Sequence, residues 1–232
     1  MNMTRRSLTV AGVALAATVA MTASPPARAS NASDAAELVA KAQATIGEFG
    51  RNKDFPTFSP ALAKARGVLI FPQVLKAGFV LGGSGGSGVL LVRDAKTGKW
   101  IGPAFYTMGS ASLGFQAGAS AAEVVMIVNS QKALDSLYAS KVKVGGDASV
   151  AVGPKGTGTG IALDSDFVAY SAVKGAFAGL AIDGSVLDAR GGLNSAYYGK
   201  KKTTPVDILV KRQVANKPES AALQAAVKKA AT

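Results

Sequence analysis

The pattern of apolar and polar residues changes twice along the chain. Residues 8–21 form an apolar run without a charged side chain. From Ser33 to Phe49, apolar residues recur at three- and four-residue spacing, which predicts a helix. Asp34 occupies a capping position, with Glu37 three residues on. From residue 67 onward, short Val-, Ile- and Leu-rich runs are bounded by Gly, Pro or Ser, which predicts strands.

The apolar face of the predicted helix 33–49 has two interpretations. It can pack on the core of the domain, or it can insert into a membrane surface. On the second interpretation, the membrane-contact candidates are Val39, Ile46 and Phe49. The near-zero charge of the helix favours packing, because surface-binding helices usually carry an excess of basic residues.

The predicted strands favour an α+β fold dominated by an antiparallel sheet or a barrel-like core, with a few flanking helices. Their close spacing indicates hairpins, because a parallel crossover needs a dozen or more residues. The predicted strands are 67–71, 78–81, 88–92, 100–106, 123–128, 141–152, 159–163, 167–173, 176–182 and 184–187. The predicted short helices begin at Ser59 (ending by Gly67), at 130 (to 138), at 193 (to 197), at 205 (to 210) and after Pro218.

The glycine-rich segment 82–88 has the spacing of a dinucleotide-binding motif at Gly83, Gly85 and Gly88. That motif needs a helix to begin at its last glycine, so that the helix N-terminus faces a pyrophosphate. Here the β-branched run 89–92 follows, which excludes a nucleotide site. We therefore predict a flexible hairpin tip, whose free backbone N–H groups could contact lipid head groups.

The composition argues against an enzyme. The chain contains neither histidine nor cysteine, which removes Ser-His-Asp and Cys-His catalysis, thiolate metal sites and disulfides. The 14 acidic residues are scattered, and Asp164-Ser165-Asp166 is interpreted as a turn because oxygen ligands do not follow it. An acid/base pair built from carboxylates alone stays open as a weaker alternative. No cofactor and no metal are predicted.

The N-terminal residues 1–29 are predicted to be a signal peptide that is removed. Arg5 and Arg6 precede the apolar run, and Ala27-Arg28-Ala29 has the small-x-small pattern of a cleavage site. The arginine pair leaves both the general secretory and the twin-arginine route open. We expect an exported, periplasmic or envelope-associated protein with a single domain over residues 30–232. Without cysteine, lipid modification of the N-terminus is not expected.

The charge is concentrated near the C-terminus. The whole chain carries a formal net charge of +12, and residues 190–232 contain nine basic and two acidic residues, a net charge of +7. We define residues 200–232 as a basic C-terminal tail. Such a tail suits an anionic lipid surface or nucleic acid, and export argues against nucleic acid. A solvated tail that serves only solubility is the alternative.

A series of short motifs resembles the SYLF-domain family. No single motif is specific, but eleven occur in the family's order between about residue 63 and residue 199. They include Ala65-Arg66-Gly67-Val68-Leu69-Ile70-Phe71-Pro72, Lys76-Ala77-Gly78-Phe79-Val80, Gly145-Gly146-Asp147-Ala148-Ser149-Val150, Lys174-Gly175-Ala176-Phe177-Ala178-Gly179 and Asn194-Ser195-Ala196-Tyr197-Tyr198-Gly199.

The resemblance implies a non-enzymatic domain that binds phosphoinositides or other anionic phospholipids at a membrane surface. Basic side chains would contact the head groups, and the candidates are Lys76, Arg93, Lys155, Lys174, Lys200, Lys201 and Lys202. Two departures from the family pattern, Thr157 and Ala172-Val173, stand where the family often has arginine. They put strong phosphoinositide selectivity in doubt.

Two further expectations concern partners. Some eukaryotic relatives bind actin, which an exported protein would not normally meet. The alternative to lipid binding is a structural or protein-interaction module of the cell envelope. The oligomeric state does not follow from the sequence.

Overall fold

The fold is that of a computed structural model that describes residues 27–78, 81–113, 118–139, 141–154, 164–174 and 182–232. Within these ranges, eight strands form one sheet in the order β5-β8-β3-β2-β1-β4-β7-β6. All neighbouring strands are antiparallel except β6 and β7, which are parallel. The sheet curls into a half-barrel flanked by helices. The predicted α+β, antiparallel-sheet class is confirmed.

The described strands and helices follow the predicted order, except at the predicted strand 78–81, where Gly78 ends β1 and Leu81 begins β2. The strands are β1 (Gly67–Gly78), β2 (Leu81–Arg93), β3 (Trp100–Leu113), β4 (Gly118–Val128), β5 (Lys141–Lys143), β6 (Val150–Val152), β7 (Phe167–Lys174) and β8 (Val186–Ala189). The helices are α1 (Ala27–Arg51), α2 (Phe58–Lys64), α3 (Gln131–Ala139), α4 (Gly191–Tyr198), α5 (Pro205–Leu209) and α6 (Pro218–Ala230).

The central strands are buried on both faces, which explains why their apolar runs are continuous rather than alternating. On one face, Val68 and Val89 pack with side chains of α1, α2, α4 and α6. On the other face, Leu69 and Leu90 pack with side chains of α3 and α5. The sheet is therefore the middle layer between two hydrophobic clusters.

The predicted hairpin tip at 82–88 is wrong. These residues lie inside β2 and pair with β1 on one side and with β3 on the other. The backbone approach is close, since a Cβ atom on Gly88 would lie 2.4 Å from Cδ1 of Phe71 and 2.5 Å from the carbonyl oxygen of Ile70. Glycine is required here for packing between strands rather than for flexibility.

An irregularity in β1 accommodates a proline in a central strand. The register of β1 shifts between Ile70 and Gln73 relative to β2, and between Phe71 and Val74 relative to β4. Pro72 lies at this shift, where its missing N–H group does not interrupt a regular ladder. Beyond it, Lys76 pairs with Ser84 of β2 and Ser120 of β4.

Helix α1 begins before the predicted first residue and packs on the core. Val39 and Ile46 are fully buried and Phe49 is 2% exposed. The ring of Phe49 stacks on that of Phe55, with centroids 5.3 Å apart. Burying such side chains stabilises a fold by about 1.5–3 kcal/mol each. The membrane-contact interpretation of these three residues is therefore wrong for this fold, because the helix would have to leave the sheet to expose them.

The described part of the second half of the chain departs from prediction in strand 141–152 and in the pairing of β6 with β7, which is parallel. The predicted strand 141–152 is interrupted at Gly145, where φ is +83°, so that β5 and β6 pair with different strands. The predicted strand 159–163 and most of 176–182 lie outside the described residues. The segment 200–232 is folded against the sheet rather than trailing from it, since Leu223 and Val227 of α6 are fully buried.

Among the described residues, no helix is long and apolar enough to cross a membrane. The predicted signal peptide lies almost entirely outside them, because the description begins at residue 27.

Candidate functional site

The predicted lipid-binding residues do not form one group. Lys76 pairs with Ser84, whereas Arg93 is the last residue of β2. Ser84 and Arg93 are nine positions apart along β2, which corresponds to about 30 Å in an extended strand. The two side chains therefore lie toward opposite ends of the sheet, and a single head group cannot contact both.

The other candidates are distributed as follows. Lys174 ends β7, where its backbone pairs with Ala121, and its side chain lies outside the described part of the structure. Lys155 also lies outside the described residues. Lys200, Lys201 and Lys202 occupy the exposed connection between α4 and α5, where Lys202 has a positive φ of 54°.

Arg93 belongs to a cleft at the end of the sheet where β1 begins and where β2 and β4 end. We call it the basic cleft. It has a volume of about 450 Å³ and is lined by Lys64, Ala65, Arg66, Arg93, Asp94, Ala95, Gly98, Asn129, Gln131 and Leu134.

The strand order brings the basic residues of this cleft together. Gly67 pairs with Val92 on one side and with Val128 on the other. The ladder continues one residue further, where the N–H group of Arg66 donates to the carbonyl oxygen of Val128 (2.9 Å) and that of Arg93 to the carbonyl oxygen of Arg66 (2.7 Å). Arg66 and Arg93 therefore lie next to each other at this end of the sheet.

The guanidinium of Arg93 is fixed by two carbonyl oxygens. Its Nη1 donates to Ala63 in the last turn of α2 (2.5 Å), and its Nε donates to Gly98 in the β2–β3 hairpin (3.4 Å). A cation at a helix C-terminus is favourable, since the helix dipole is negative there. Arg93 therefore has a structural role in addition to any contact with a ligand.

Arg66 and Lys64 are held less tightly. Arg66 Nη1 donates to Oε1 of Gln131 at 3.5 Å, and the amide nitrogen of Gln131 donates to Asp135 at 2.9 Å. Lys64 is the last residue of α2 and is exposed. Within the described ranges, Lys64, Arg66 and Arg93 form no ion pair with an acidic residue.

Among the residues that the structure describes, Asp94 is the one acidic residue that lines the basic cleft, and its charge is already compensated. Its carboxylate contacts the guanidinium of Arg212. It also accepts hydrogen bonds from the backbone N–H groups of Lys96 (2.9 Å) and Thr97 (2.6 Å) and from the Thr97 hydroxyl (2.9 Å). In the described part of the chain, no acidic side chain pairs with the three cations of the cleft.

A second cleft, of about 370 Å³, also adjoins the β2–β3 hairpin, through Thr97 and Lys99. Its lining includes apolar side chains, among them Trp100, Ile101, Tyr198 and Ile208, and it also includes Arg212. Nζ of Lys217 lies outside this lining, 4.5 Å from the ring centroid of Tyr197. In the part of the chain that the structure describes, no group of three or more acidic residues could hold a metal ion.

Sequence reasoning identified Arg93 but missed Lys64 and Arg66. The available signal was their position in the sequence. Lys64 ends a helix, and Arg66 directly precedes the buried run 67–71. Which strand ends meet at the same edge depends on the pairing of β1 with both β2 and β4, and no local pattern specifies that pairing.

A curled sheet between two layers of helices, with a basic cleft at one edge, defines a mixed α+β module. A family model described as "Ysc84: Las17-binding protein actin regulator" matches residues 109–230, more than half of the chain. The chain belongs to this Ysc84/SYLF-domain family, which confirms the resemblance seen in the sequence.

Individual relatives support the assignment. The chain is 35% identical to protein YSC84 of Saccharomyces cerevisiae over 163 residues, which is 67% of this chain and 34% of the yeast protein. It is 32% identical to human SH3 domain-containing YSC84-like protein 1 over 174 residues, covering 73% of this chain and 50% of the human one. The match thus spans between a third and half of the length of these curated relatives. No solved structure matches the chain.

Proposed function

We propose that this protein is a non-catalytic lipid-binding domain that recognises anionic phospholipid head groups, including those of the phosphoinositide type, at a membrane surface. The observation that carries the proposal is the basic cleft, where three cations from different elements converge without an acidic partner among the described residues. The family assignment supports it, because the domain family consists mostly of binding modules rather than catalysts.

The proposed mechanism is electrostatic. Each Lys or Arg close to an anionic bilayer contributes about 1 kcal/mol, and the effect decays within a Debye length. The basic cleft would contact head groups directly, while Lys200, Lys201 and Lys202 in the connection between α4 and α5 would attract the protein to the surface. The proposal makes no use of α1, whose apolar face is buried.

The same proposal includes export. The apolar run 8–21 after two arginines and the Ala27-Arg28-Ala29 motif support cleavage of a signal peptide and a periplasmic or envelope location. Expression of the full chain in a bacterial host, followed by fractionation and N-terminal sequencing, tests this point. A chain that stays uncleaved in the cytoplasm would overturn it.

Liposome co-sedimentation tests the lipid-binding proposal. Residues 30–232 should sediment with phosphatidylcholine vesicles that contain 30% phosphatidylglycerol and should remain in solution with pure phosphatidylcholine, in buffers of about 50 mM salt. Raising the salt to about 500 mM should release the protein, because exposed charges are then screened. Equal sedimentation with neutral and anionic vesicles would contradict the mechanism.

A protein partner is the alternative, and the family description gives it a specific basis, since it names Las17 binding and actin regulation. Co-sedimentation with filamentous actin and pull-down from an envelope fraction form the second arm of the experiment. Saturable binding of a protein, together with no preference for anionic vesicles, would favour an interaction module over a lipid-binding domain.

A further inference from the structure

We infer that the basic cleft is a binding site for a phosphomonoester group, so that the protein distinguishes terminal phosphates from phosphodiesters. This inference rests on the proposed function in one respect, namely that a lipid head group is the expected source of the phosphate. The chemistry itself is shared by lipids with a terminal phosphate and by small phosphorylated metabolites. The site is carried by Lys64, Arg66 and Arg93, with Asn129 and Gln131 beside them.

The number and type of hydrogen-bond donors in the basic cleft match a phosphomonoester. A phosphomonoester carries close to two negative charges at neutral pH and three terminal oxygens that accept hydrogen bonds. Guanidinium groups present several N–H donors in one plane and match phosphate in a bidentate manner, whereas lysine acts as a point charge. Two arginines and one lysine around one cleft suit a dianion better than the single charge of a diester.

The side chains of Arg93 and Arg66 are held in position by neighbouring groups. Arg93 is already held by the carbonyl oxygens of Ala63 and Gly98, which occupy Nη1 and Nε and leave Nη2 without a hydrogen-bond partner among the described residues. Arg66 is steered by Gln131, which is itself bound to Asp135. A guanidinium that is positioned before the ligand arrives loses less side-chain freedom on binding.

The local charge balance around the cleft also suits a phosphomonoester. Of the acidic groups around the cleft, Asp94 is compensated by Arg212 and by two backbone N–H groups. Asp135 lies behind Gln131 and accepts a hydrogen bond from its amide. An incoming phosphate therefore meets three cations that no carboxylate of the described segments neutralises directly. The volume of about 450 Å³ falls within the range of small-molecule sites.

The experiment compares two kinds of anionic vesicle, one with phosphatidic acid, a monoester, and one with phosphatidylglycerol, a diester, in phosphatidylcholine and adjusted to equal zeta potential. The wild-type protein should bind the monoester vesicles about tenfold more tightly, which is the effect of one additional charge-assisted hydrogen bond. Glycerol 3-phosphate should compete with these vesicles at millimolar concentration, and glycerophosphocholine should not.

Three variants localise the effect. Lys64→Gln with Arg66→Gln should abolish the preference for phosphatidic acid. Arg66→Lys keeps the charge but removes the planar fork, so it should reduce the preference while retaining most of the binding. Lys200→Gln with Lys201→Gln removes the same charge at an exposed connection and is the matched control. It should weaken binding to both vesicles equally.

The outcomes separate the inference from the proposed function. If the wild-type protein binds both anionic vesicles equally and neutral vesicles less, the membrane function stands and the phosphomonoester site is wrong. If glycerol 3-phosphate binds and the double variant abolishes this binding while no vesicle is bound, the site is correct and the membrane function is wrong. A preference for phosphatidic acid that survives Lys64→Gln with Arg66→Gln would overturn the location of the site.

Discussion

The guanidinium of Arg212 contacts the carboxylate of Asp94, joining two residues that are 118 positions apart. The contact ties the chain that follows α5 to the β2–β3 hairpin. It also compensates the acidic group of the basic cleft, so a residue outside the cleft lining controls the electrostatic potential within it. Arg212 has a φ of +54°, an uncommon conformation for a residue other than glycine.

Replacement of Arg212 should weaken anion binding without touching the cations of the cleft. Arg212→Gln leaves the Asp94 charge facing the cleft, and we expect about a two- to fivefold loss of affinity for anionic vesicles, the range of a partly exposed ion pair. The second variant, Arg212→Gln with Asp94→Asn, should recover the wild-type affinity. Co-sedimentation at low salt measures both, and a double variant as weak as Arg212→Gln would contradict the explanation.

The glycines of β2 should differ sharply in their tolerance of a methyl group. Gly88→Ala would place Cβ 2.4 Å from Phe71 and 2.5 Å from the Ile70 carbonyl. We expect a loss of about 1–3 kcal/mol or more in the free energy of unfolding, because overpacking forces the strands apart. Gly83→Ala meets only the Ser110 carbonyl at 3.4 Å and is the matched control.

Urea unfolding checks this pair of variants. Gly83→Ala should stay within about 0.5 kcal/mol of the wild type, the usual range for an exposed position. If residues 82–88 formed a flexible tip, both substitutions would be tolerated equally, so equal stability of the two variants would contradict the observed strand.

This contrast explains why the glycine segment was misassigned from the sequence. Glycine has no side chain to create an apolar period, so a strand made of Gly and Ser is not distinguished from a loop. The requirement at Gly88 comes from Phe71 and Ile70 on the neighbouring strand, and that relationship depends on the shifted register of β1. The apolar strands, in contrast, were predicted because their own side chains fill the two clusters.

Asn194 should be important for the stability of α4 on the sheet. Its side-chain Oδ1 accepts a hydrogen bond from the backbone N–H group of Phe105 at 2.9 Å, and the amide is fully buried. Asn194→Ala leaves that N–H group without its partner, which costs about 1–3 kcal/mol in the free energy of unfolding. The matched control is Asn216→Ala, an exposed amide that bonds Gln224.

Urea unfolding of the two variants gives the comparison, and we expect Asn216→Ala to change stability by less than about 0.5 kcal/mol. A similar loss in both variants would show that the buried bond to Phe105 is not the cause. The motif Asn194-Ser195-Ala196-Tyr197-Tyr198-Gly199 was recognisable in the sequence, but the role of its asparagine was not, because its partner is 89 residues away.

The basic cleft illustrates the same limit for the functional site. Arg93 was identified as one of several basic side chains of the domain, and the position of Arg66 before a strand was equally visible. Arg66 and Arg93 lie close together because β1 is antiparallel to both of its neighbours, β2 and β4. The beginning of β1 therefore lies between the ends of β2 and β4. Lys76 was grouped with Arg93 only because both side chains are basic. The pairing of Lys76 with Ser84 places the two residues most of a strand length apart.

Stability should fall in acid through two carboxylates whose pKa values are lowered. The Thr204 hydroxyl and backbone N–H group, followed by Lys211, lower the pKa of Asp207 from 3.8 to about 2. The Ser130 hydroxyl and the Ser149 groups lower the pKa of Asp166. Because both folded-state values are depressed, the stabilisation is present above the unfolded value and is lost as pH falls through the folded value.

The variant Asp207→Asn should therefore be less stable than the wild type at pH 7, and the difference should shrink between about pH 4 and pH 2. Asp166→Asn should also be less stable than the wild type at pH 7, and this difference should likewise shrink in acid. Asp54→Asn, which removes an exposed carboxylate in the α1–α2 connection, is the matched control for the loss of one acidic side chain. Urea midpoints of unfolding, measured from pH 7 to pH 2, test this prediction. A loss of stability that does not depend on pH would contradict a stabilising role of the ionised carboxylates.

The connection between α4 and α5 should set the attraction to a membrane without contributing to stability or selectivity. Lys200 and Lys201 are exposed, and Lys202 adopts a positive φ that asparagine tolerates. Lys200→Gln, Lys201→Gln and Lys202→Asn together should lower the affinity for anionic vesicles by up to about 3 kcal/mol at low salt, or about 1 kcal/mol per charge. The urea midpoint should not change, because none of the three side chains is buried. If sedimentation is unaffected at about 50 mM salt, the connection lies away from the membrane, and the basic cleft must account for binding by itself.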